Sequence, residues 1–250
     1  MKILHLYHDV MNLYGEYGNM VLLTQVLNTC GIETELISHP LTEKPDFSAV
    51  DFLYMGAGTE ENQKVVLTRL LNWQEKLKEY IFQEGYGLWT GNSFEILGNR
   101  IIDPQGKEWQ GLGILPFTVR QQKKTRLTGD AILAVSEGKE PLVGFINKCS
   151  QIEKVESPCF QVLMGMGNEK GGNTEGIRCK NFLGTHLTGP MLVKNPYFLL
   201  EIVNDLVKKE RKKDLMKEEK EALKEGLLAR EVAAYEVTLR ELKKRMENKK

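Results

Sequence analysis

The chain has 250 residues, of which 41% are hydrophobic and 27% are charged. This composition is typical of a globular protein and excludes global disorder. The 34 basic and 34 acidic side chains cancel, which argues against general binding to nucleic acid or to a membrane surface. Residues 208–250 hold 15 basic and 10 acidic residues, so a basic, charge-dense tail follows a mildly acidic body.

The cysteine pattern and the N-terminus bear on compartment and metal binding. None of the four cysteines lies in a C-x-x-C pair and histidine is scarce, so we expect no zinc site, no other metal and no cofactor. The apolar run at the N-terminus is too short for a signal peptide, and no run approaches the ~20 residues of a membrane span. The chain is therefore predicted to be cytoplasmic, with free thiols.

The first hundred residues predict alternating strands and helices. Apolar runs and helical spacing of apolar residues define these elements, and Gly31 follows the first helix at a stop position. This order is typical of an α/β domain with a largely parallel sheet. Strands are predicted at Lys2–Tyr7, Ile32–Ile37, Asp51–Met55 and Gly85–Trp89, and helices at Asn19–Cys30, at Glu61–Gln83 and from Ser93 onward.

The middle of the chain, from Ile101 to Leu183, is rich in glycine and short apolar runs, and is predicted to be β-rich. It contains a long glycine-rich segment, Met164–Gly176. This segment matches neither the P-loop pattern nor a G-x-G-x-x-G that opens a helix. A turn or hairpin is therefore favoured over a phosphate-binding loop.

From about Pro196 the chain is predicted to be nearly all helix, with an interruption at Gly226. Apolar residues in the last part follow a spacing of 4-3-4-3-4, which is a short heptad seam. The seam packs either on the body of the same chain or on another chain, and a solvated helix is the third interpretation of this charged segment. The seam consists of Leu228, Val232, Tyr235, Leu239, Leu242 and Met246.

Two segments have patterns that could carry chemistry. The stretch Leu88–Phe94 runs from a strand through a tight turn into a predicted helix, as in a nucleophile elbow, but its apex is Gly91. Thr90 and Ser93 flank that apex without occupying it. The second segment contains His186, and a lone histidine is more often structural than catalytic.

Several segments together resemble the glutaminase subunits of lipid II isoglutaminyl synthase (the GatD type). These subunits belong to the cobyric-acid-synthase-like branch of class I glutamine amidotransferases. The matches run from residue 1 to about 205 and leave the tail uncovered. They are Leu6–Leu23; Gly56-Ala57-Gly58 with Glu60, Glu61 and Gln63; Gly111–Leu115 with Thr118, Arg126 and Gly129; Gly144–Asn147; Gly165–Arg178; and Gly184–Pro196.

The resemblance implies a flavodoxin-like sheet with helices on both faces, as domain 1–207, followed by a helical tail, 208–250. It also implies hydrolysis of glutamine to glutamate and ammonia by a Cys-His pair, through a glutamyl thioester. In the family the ammonia passes to a Mur-ligase-like synthetase, which amidates the D-glutamate of the peptidoglycan stem peptide. The resemblance therefore implies a synthetase partner and a site for glutamine or another small polar ligand.

The chain departs from this family pattern at the reactive positions. The family elbow resembles C-G-G-Y-Q-L-L-G, and the alignment places Gly91 at the cysteine and Glu95 at the glutamine. The second family motif resembles G-T-Y-L-H-G-P, and here Thr188 stands at the histidine and His186 at the tyrosine. A further family histidine is Lys148 in this chain. Both members of the catalytic pair are therefore absent from their expected positions.

Three hypotheses follow from these residues. The first is a catalytically degenerate subunit that binds a synthetase and keeps a small polar pocket. The second is an active glutaminase, for a cell-wall or a cobyric acid synthetase, in which Cys149 and His186 replace the missing pair. The third is self-association through the tail. The predicted substrate-binding and oxyanion residues are Gly56, Gly58, Asn92 and Arg126.

Overall fold

The computed structural model describes residues 1–123 and 125–248. It contains seven α-helices in this part of the chain, with short 3-10 helices at Leu71–Trp73 and Ser93–Leu97. The α-helices are α1 (Tyr17–Thr29), α2 (Glu60–Leu70), α3 (Gln74–Phe82), α4 (Met191–Lys194), α5 (Pro196–Arg211), α6 (Lys217–Glu225) and α7 (Ala229–Glu247).

Fifteen strands form three sheets in the described residues. They are β1 (Lys2–Leu6), β2 (Glu35–His39), β3 (Phe52–Met55), β4 (Tyr86–Thr90), β5 (Arg100–Ile102), β6 (Glu108–Gln110), β7 (Thr118–Gln121), β8 (Leu127–Ala134), β9 (Leu142–Lys148), β10 (Ser150–Glu153), β11 (Phe160–Met164), β12 (Thr174–Glu175), β13 (Ile177–Cys179), β14 (Phe182–Thr185) and β15 (Leu187–Thr188).

The central sheet has six strands in the order β13-β14-β4-β3-β1-β2. Every neighbouring pair is parallel except β13 with β14. Strands β3 and β4 are apolar on both faces because helices and sheets cover the central sheet on both sides. The carboxyl ends of β1, β3 and β4 therefore open at one common edge.

Two smaller sheets complete the fold. One has the order β10-β7-β5-β6, and the other is an antiparallel sheet with the order β12-β11-β8-β9-β15. One apolar cluster joins the central sheet to α1, α5 and the antiparallel sheet. A second cluster on the opposite face joins the central sheet to α2, α3 and the four-stranded sheet.

The structure confirms the predicted α/β class, the largely parallel sheet with helices on both faces, and the C-terminal helices. Some predicted bounds are wrong. The helix predicted over Glu61–Gln83 is two helices separated by a 3-10 turn at Leu71–Trp73, where Asn72 and Trp73 are weak helix formers. The helix expected from Ser93 is only a 3-10 helix, and the strand predicted at Ile32–Ile37 begins at Glu35.

The glycine-rich segment closes the hairpin between β11 and β12, which pair through Phe160 and Glu175. Its backbone amides are used within the loop: the amide of Asn168 donates to Thr174 at 2.8 Å, and the amide of Gly176 donates to the side chain of Asn168 at 2.9 Å. These contacts fit the hairpin turn that the sequence favours.

The heptad seam packs on the body of its own chain. Tyr235, Leu239 and Leu242 are buried against Ile132 and Val143 of the antiparallel sheet. The tyrosine hydroxyl also donates to the carbonyl of Pro141 at 2.7 Å. Leu228, at the start of the seam, is buried in the first apolar cluster. The structure therefore shows the first of the alternatives that the spacing left open.

The predicted boundary between residues 207 and 208 lies within α5. The division into a domain of residues 1–207 and a tail of residues 208–250 stays a prediction. Three buried residues beyond the boundary, Leu215, Leu223 and Leu228, belong to the first apolar cluster, so deletion of the tail would uncover part of the core. None of the helices described within 1–123 and 125–248 combines the length and hydropathy needed to cross a bilayer.

The packing of α7 predicts how much the free energy of unfolding falls when one side chain of the heptad seam is shortened. Leu242→Ala removes a side chain that is 5% exposed and is expected to lower the free energy of unfolding by about 2 kcal/mol. Val237→Ala, on the same helix but 49% exposed, is the matched control and should change it by less than about 0.5 kcal/mol. Urea denaturation measures both, and equal effects would contradict this packing.

Candidate functional site

A cavity of about 140 Å³ lies at the carboxyl edge of the central sheet, the edge at which open parallel sheets bind ligands. The segments that follow β3, β4 and β9 form its walls, together with the first turn of α2 and the loop after β1. Its lining residues are Leu13, Tyr14, Ala57, Gly58, Thr59, Glu60, Gly91, Asn92, Glu95, Gln121, Arg126, Asn147, Lys148, Cys149, Ser150 and Thr188.

Gly91 occupies the apex of the turn after β4, in the left-handed region with φ of 65°. Only glycine adopts this conformation without strain. A Cβ atom added at Gly91 would lie 3.6 Å from Cγ2 of Thr188. The two positions that the family alignment assigns to the nucleophile and the base therefore face each other across the cavity, although neither carries the required group.

Thr188 is held by the backbone opposite it. Its hydroxyl donates to the carbonyl of Phe145 at 3.0 Å. The hydroxyls beside the apex are also occupied: Ser93 donates to the carbonyl of Thr90 at 2.7 Å, and the hydroxyl of Thr90 bonds to that of Tyr54 at 3.0 Å. Neither Thr90 nor Ser93 lines the cavity. The turn therefore offers no hydroxyl nucleophile in its place.

The predicted oxyanion residues are placed in different ways. The amide of Gly58 donates to Oδ1 of Asn92 at 3.0 Å, and the side-chain amide of Asn92 donates back to the carbonyl of Gly58 at 2.9 Å. The amide that would hold an oxyanion is thus already satisfied by a side chain. Gly56 does not line the cavity and instead packs closely against the carbonyl of Met11.

Arg126 reaches the cavity from the segment before β8. Its guanidinium donates to Glu60 at 2.5 Å and to Oδ1 of Asn147 at 2.9 Å. The amide group of Asn147 in turn donates to the hydroxyl of Tyr14 at 2.9 Å. These contacts tie four separate segments together at the rim of the cavity.

Cys149 lines the cavity, whereas the other candidate substitute does not. The thiol of Cys149 donates to Glu60 at 3.2 Å. Burial, reinforced by the negative charge of Glu60, raises the pKa of the Cys149 thiol to about 12. The thiol is therefore protonated at neutral pH, which is the opposite of what a cysteine nucleophile needs.

His186 lies behind the cavity wall and is 1% exposed. Its Nδ1 is 3.0 Å from Glu175 and its Nε2 is 3.3 Å from Glu95. Both ring nitrogens therefore lie within hydrogen-bond distance of a carboxylate oxygen, and the ring is held between Glu175 and Glu95. The structure does not bring His186 and Cys149 together as a nucleophile and its base.

Glu95 and Glu175 are the functional neighbours that sequence reasoning missed. Glu95 accepts from Gln63 at 2.7 Å and from the hydroxyl of Ser150. Glu175 accepts from Thr185 at 2.7 Å. Although burial acts in the other direction, the hydrogen bonds and charge of His186 keep the pKa of Glu175 below its usual range. The nearest sequence signal was the placement of Glu95 at a family glutamine.

Lys148 belongs to the same buried network. Its ammonium donates to the carbonyls of Gly167 and Asn168, at 2.6 and 3.2 Å. Burial lowers the pKa of Lys148 to about 8, and the charges of Glu175 and Glu95 oppose this shift. Positions 95, 148 and 186, at which the sequence predicts departures from the family pattern, therefore share one electrostatic network.

Taken together, these groups can bind but lack a reactive pair. In the part of the chain that the structure describes, no three side chains of the His, Cys, Asp or Glu type gather as metal ligands. The cavity holds donors and acceptors that satisfy one another, and its one thiol is protonated.

Comparisons with known proteins bear on the family. A model of the CobB/CobQ-like glutamine amidotransferase domain matches residues 2–196. The chain is 34% identical to the lipid II isoglutaminyl synthase (glutamine-hydrolyzing) subunit GatD of Staphylococcus aureus strain N315, over 78% of this chain and 79% of that protein. It is 28% identical to the GatD subunit of Streptococcus pneumoniae strain ATCC BAA-255 / R6, over 86% and 84%.

The fold has a counterpart among solved structures. A crystal structure of a glutamine amidotransferase matches with a TM-score of 0.53, over 80% of this chain and 98% of that chain. At 15% identity, this likeness concerns the fold alone.

The environment of Cys149 predicts slow alkylation. At pH 8 its reaction with iodoacetamide should be about 1,000-fold slower than that of an ordinary thiol, because the thiolate is scarce. Glu60→Gln removes the adjacent negative charge and should accelerate the reaction about tenfold. Glu61→Gln, at an exposed neighbouring position, is the control. Mass spectrometry of the Cys149 peptide gives the rates, and fast alkylation of the unmodified chain at pH 7 would contradict this assignment.

The buried network predicts that substitution of Glu95 strongly lowers the free energy of unfolding. Glu95→Gln should lower the free energy of unfolding by about 3 kcal/mol, because it removes the carboxylate that faces His186 and places an NH2 donor where one oxygen now accepts a hydrogen bond. Glu156→Gln alters an exposed carboxylate and should have almost no effect. Urea denaturation at pH 7 measures both variants. A loss below about 0.5 kcal/mol for Glu95→Gln would show that the network does not stabilise the fold.

Proposed function

The chain belongs to the CobB/CobQ-like glutamine amidotransferase family, and from this premise we propose that it is a non-hydrolysing subunit of an enzyme that amidates lipid II. Its partner is a Mur-ligase-like synthetase, and the complex acts in the cytoplasm. The two GatD relatives, each matched over more than three quarters of its length, support the cell-wall role over a role with cobyric acid.

One observation carries the non-hydrolysing part of the proposal. The two positions assigned to the nucleophile and the base face each other across the cavity and hold Gly91 and Thr188. Loss of the nucleophile in a catalytic pair costs many orders of magnitude in rate. The glycine turn at Gly91 and the folded cavity around it support a retained role in binding.

The alternative is a glutaminase that uses Cys149 and His186. Cys149 does line the cavity, and this is the feature in favour of that alternative. Against it stand the raised pKa of the thiol and the burial of His186 between two carboxylates. We therefore rank it second.

The nitrogen source of the complex tests the proposal. The chain is co-expressed with a candidate synthetase, isolated as a complex, and supplied with lipid II, ATP and either ammonium chloride or glutamine. We expect amide formation with ammonium and none above background with glutamine, since the chain releases no ammonia. Copurification of the two chains tests the partner independently of the chemistry.

A matched variant separates the two candidate functions. Cys149→Ala is expected to leave ammonium-dependent amidation unchanged, because the thiol takes no part in it. Glutamate release from glutamine by the unmodified chain, abolished in Cys149→Ala, would overturn the proposal and establish a relocated nucleophile. Release that persists in Cys149→Ala would also overturn it and would direct attention to another residue.

A further inference from the structure

We propose that Ala57 is a steric lock on the elbow: its methyl group fills the space that any side chain at position 91 would need. A nucleophilic side chain then fits at position 91 only when residue 57 is glycine. The functional meaning of this lock rests on the proposed function, in which position 91 is the vacant place of the nucleophile. The packing relation between the two residues does not depend on it.

The steric overlap at position 91 involves one neighbour, Ala57. A Cβ atom at Gly91 would come closer than 3.0 Å to the Cβ of Ala57, a separation that real Cβ atoms essentially never show, and would lie 3.2 Å from its Cα. Its next neighbour, Cγ2 of Thr188, is at an ordinary van der Waals distance of 3.6 Å. The obstruction therefore comes from residue 57, while the contact with Thr188 is an ordinary one that a Cβ atom tolerates.

Ala57 cannot turn this methyl group away. The position of a Cβ atom is set by the backbone, and the backbone here is held on both sides. The amide of Ala57 donates to Oε1 of Glu16 at 3.3 Å, and its carbonyl accepts from the amide of Leu13 at 3.0 Å. The adjacent Gly58 is joined to Asn92 by two hydrogen bonds. Ala57 is also only 2% exposed.

Two separate costs therefore oppose a side chain at position 91. The first is the left-handed backbone, which penalises any residue with a Cβ. The second is the overlap with Ala57, and it alone should disappear when residue 57 becomes glycine. Gly171 offers a matched control for the first cost, since its φ is 74° and an added Cβ would have no heavy atom within 4 Å.

A double-mutant cycle on melting temperature measures the second cost. Gly171→Ala is expected to lower Tm by about 3 °C, the cost of the left-handed backbone alone. Gly91→Ala should lower Tm by roughly 10 °C, since overpacking is added. In the Ala57→Gly background, Gly91→Ala should cost no more than the control. The same cycle with Gly91→Cys repeats the test with the family's side chain.

Each outcome decides the proposal. A cost at position 91 that falls to the control value in the Ala57→Gly background supports the lock, as does recovery of folding if Gly91→Ala alone fails to fold. The proposal would be overturned if the Tm changes of Ala57→Gly and Gly91→Ala were additive. It would also be overturned if the variant that carries both substitutions failed to fold. Glutamate release by the unmodified chain would overturn the proposed function without altering the result of this cycle, so the two failures are distinguishable.

Discussion

The arrangement around the cavity depends on one buried contact, in which His186 lies between Glu95 and Glu175. Buried charges are tolerated only when each has its partners, and here Gln63, Ser150 and Thr185 supply the remaining hydrogen bonds. Because these residues come from α2, the 3-10 helix after β4, β10, β12 and β14, the contact fixes the relative positions of the segments behind the cavity. It also engages both ring nitrogens of His186.

The polar groups that line the cavity also form hydrogen bonds with one another. Asn92 occupies the amide of Gly58, and Glu60 receives both Arg126 and the thiol of Cys149. Preorganised donors accelerate a reaction only if they are free to meet the charge that develops in the transition state. In this site those donors are engaged with neighbouring side chains, and this engagement is the physical basis of the proposed binding role.

Much of the fold could be predicted because its signals are local. Alternating apolar runs identified the central strands, and Gly226 marked the break between α6 and α7. The contacts of the site are different in kind. Glu95 and His186 are 91 residues apart in the chain, and no spacing rule reports such a meeting. The heptad seam likewise had two possible partners, and only the three-dimensional position of the antiparallel sheet decides between them.

The packing of Gly91 against Ala57 also bears on how this protein can change over generations. A substitution that returns a thiol to position 91 would meet the methyl group of Ala57 and a strained backbone, and it would gain no partner from Thr188. A single substitution at position 91 is therefore expected to lower the stability of the fold. A side chain at position 91 therefore needs a second change at residue 57, and we expect these two positions to change together.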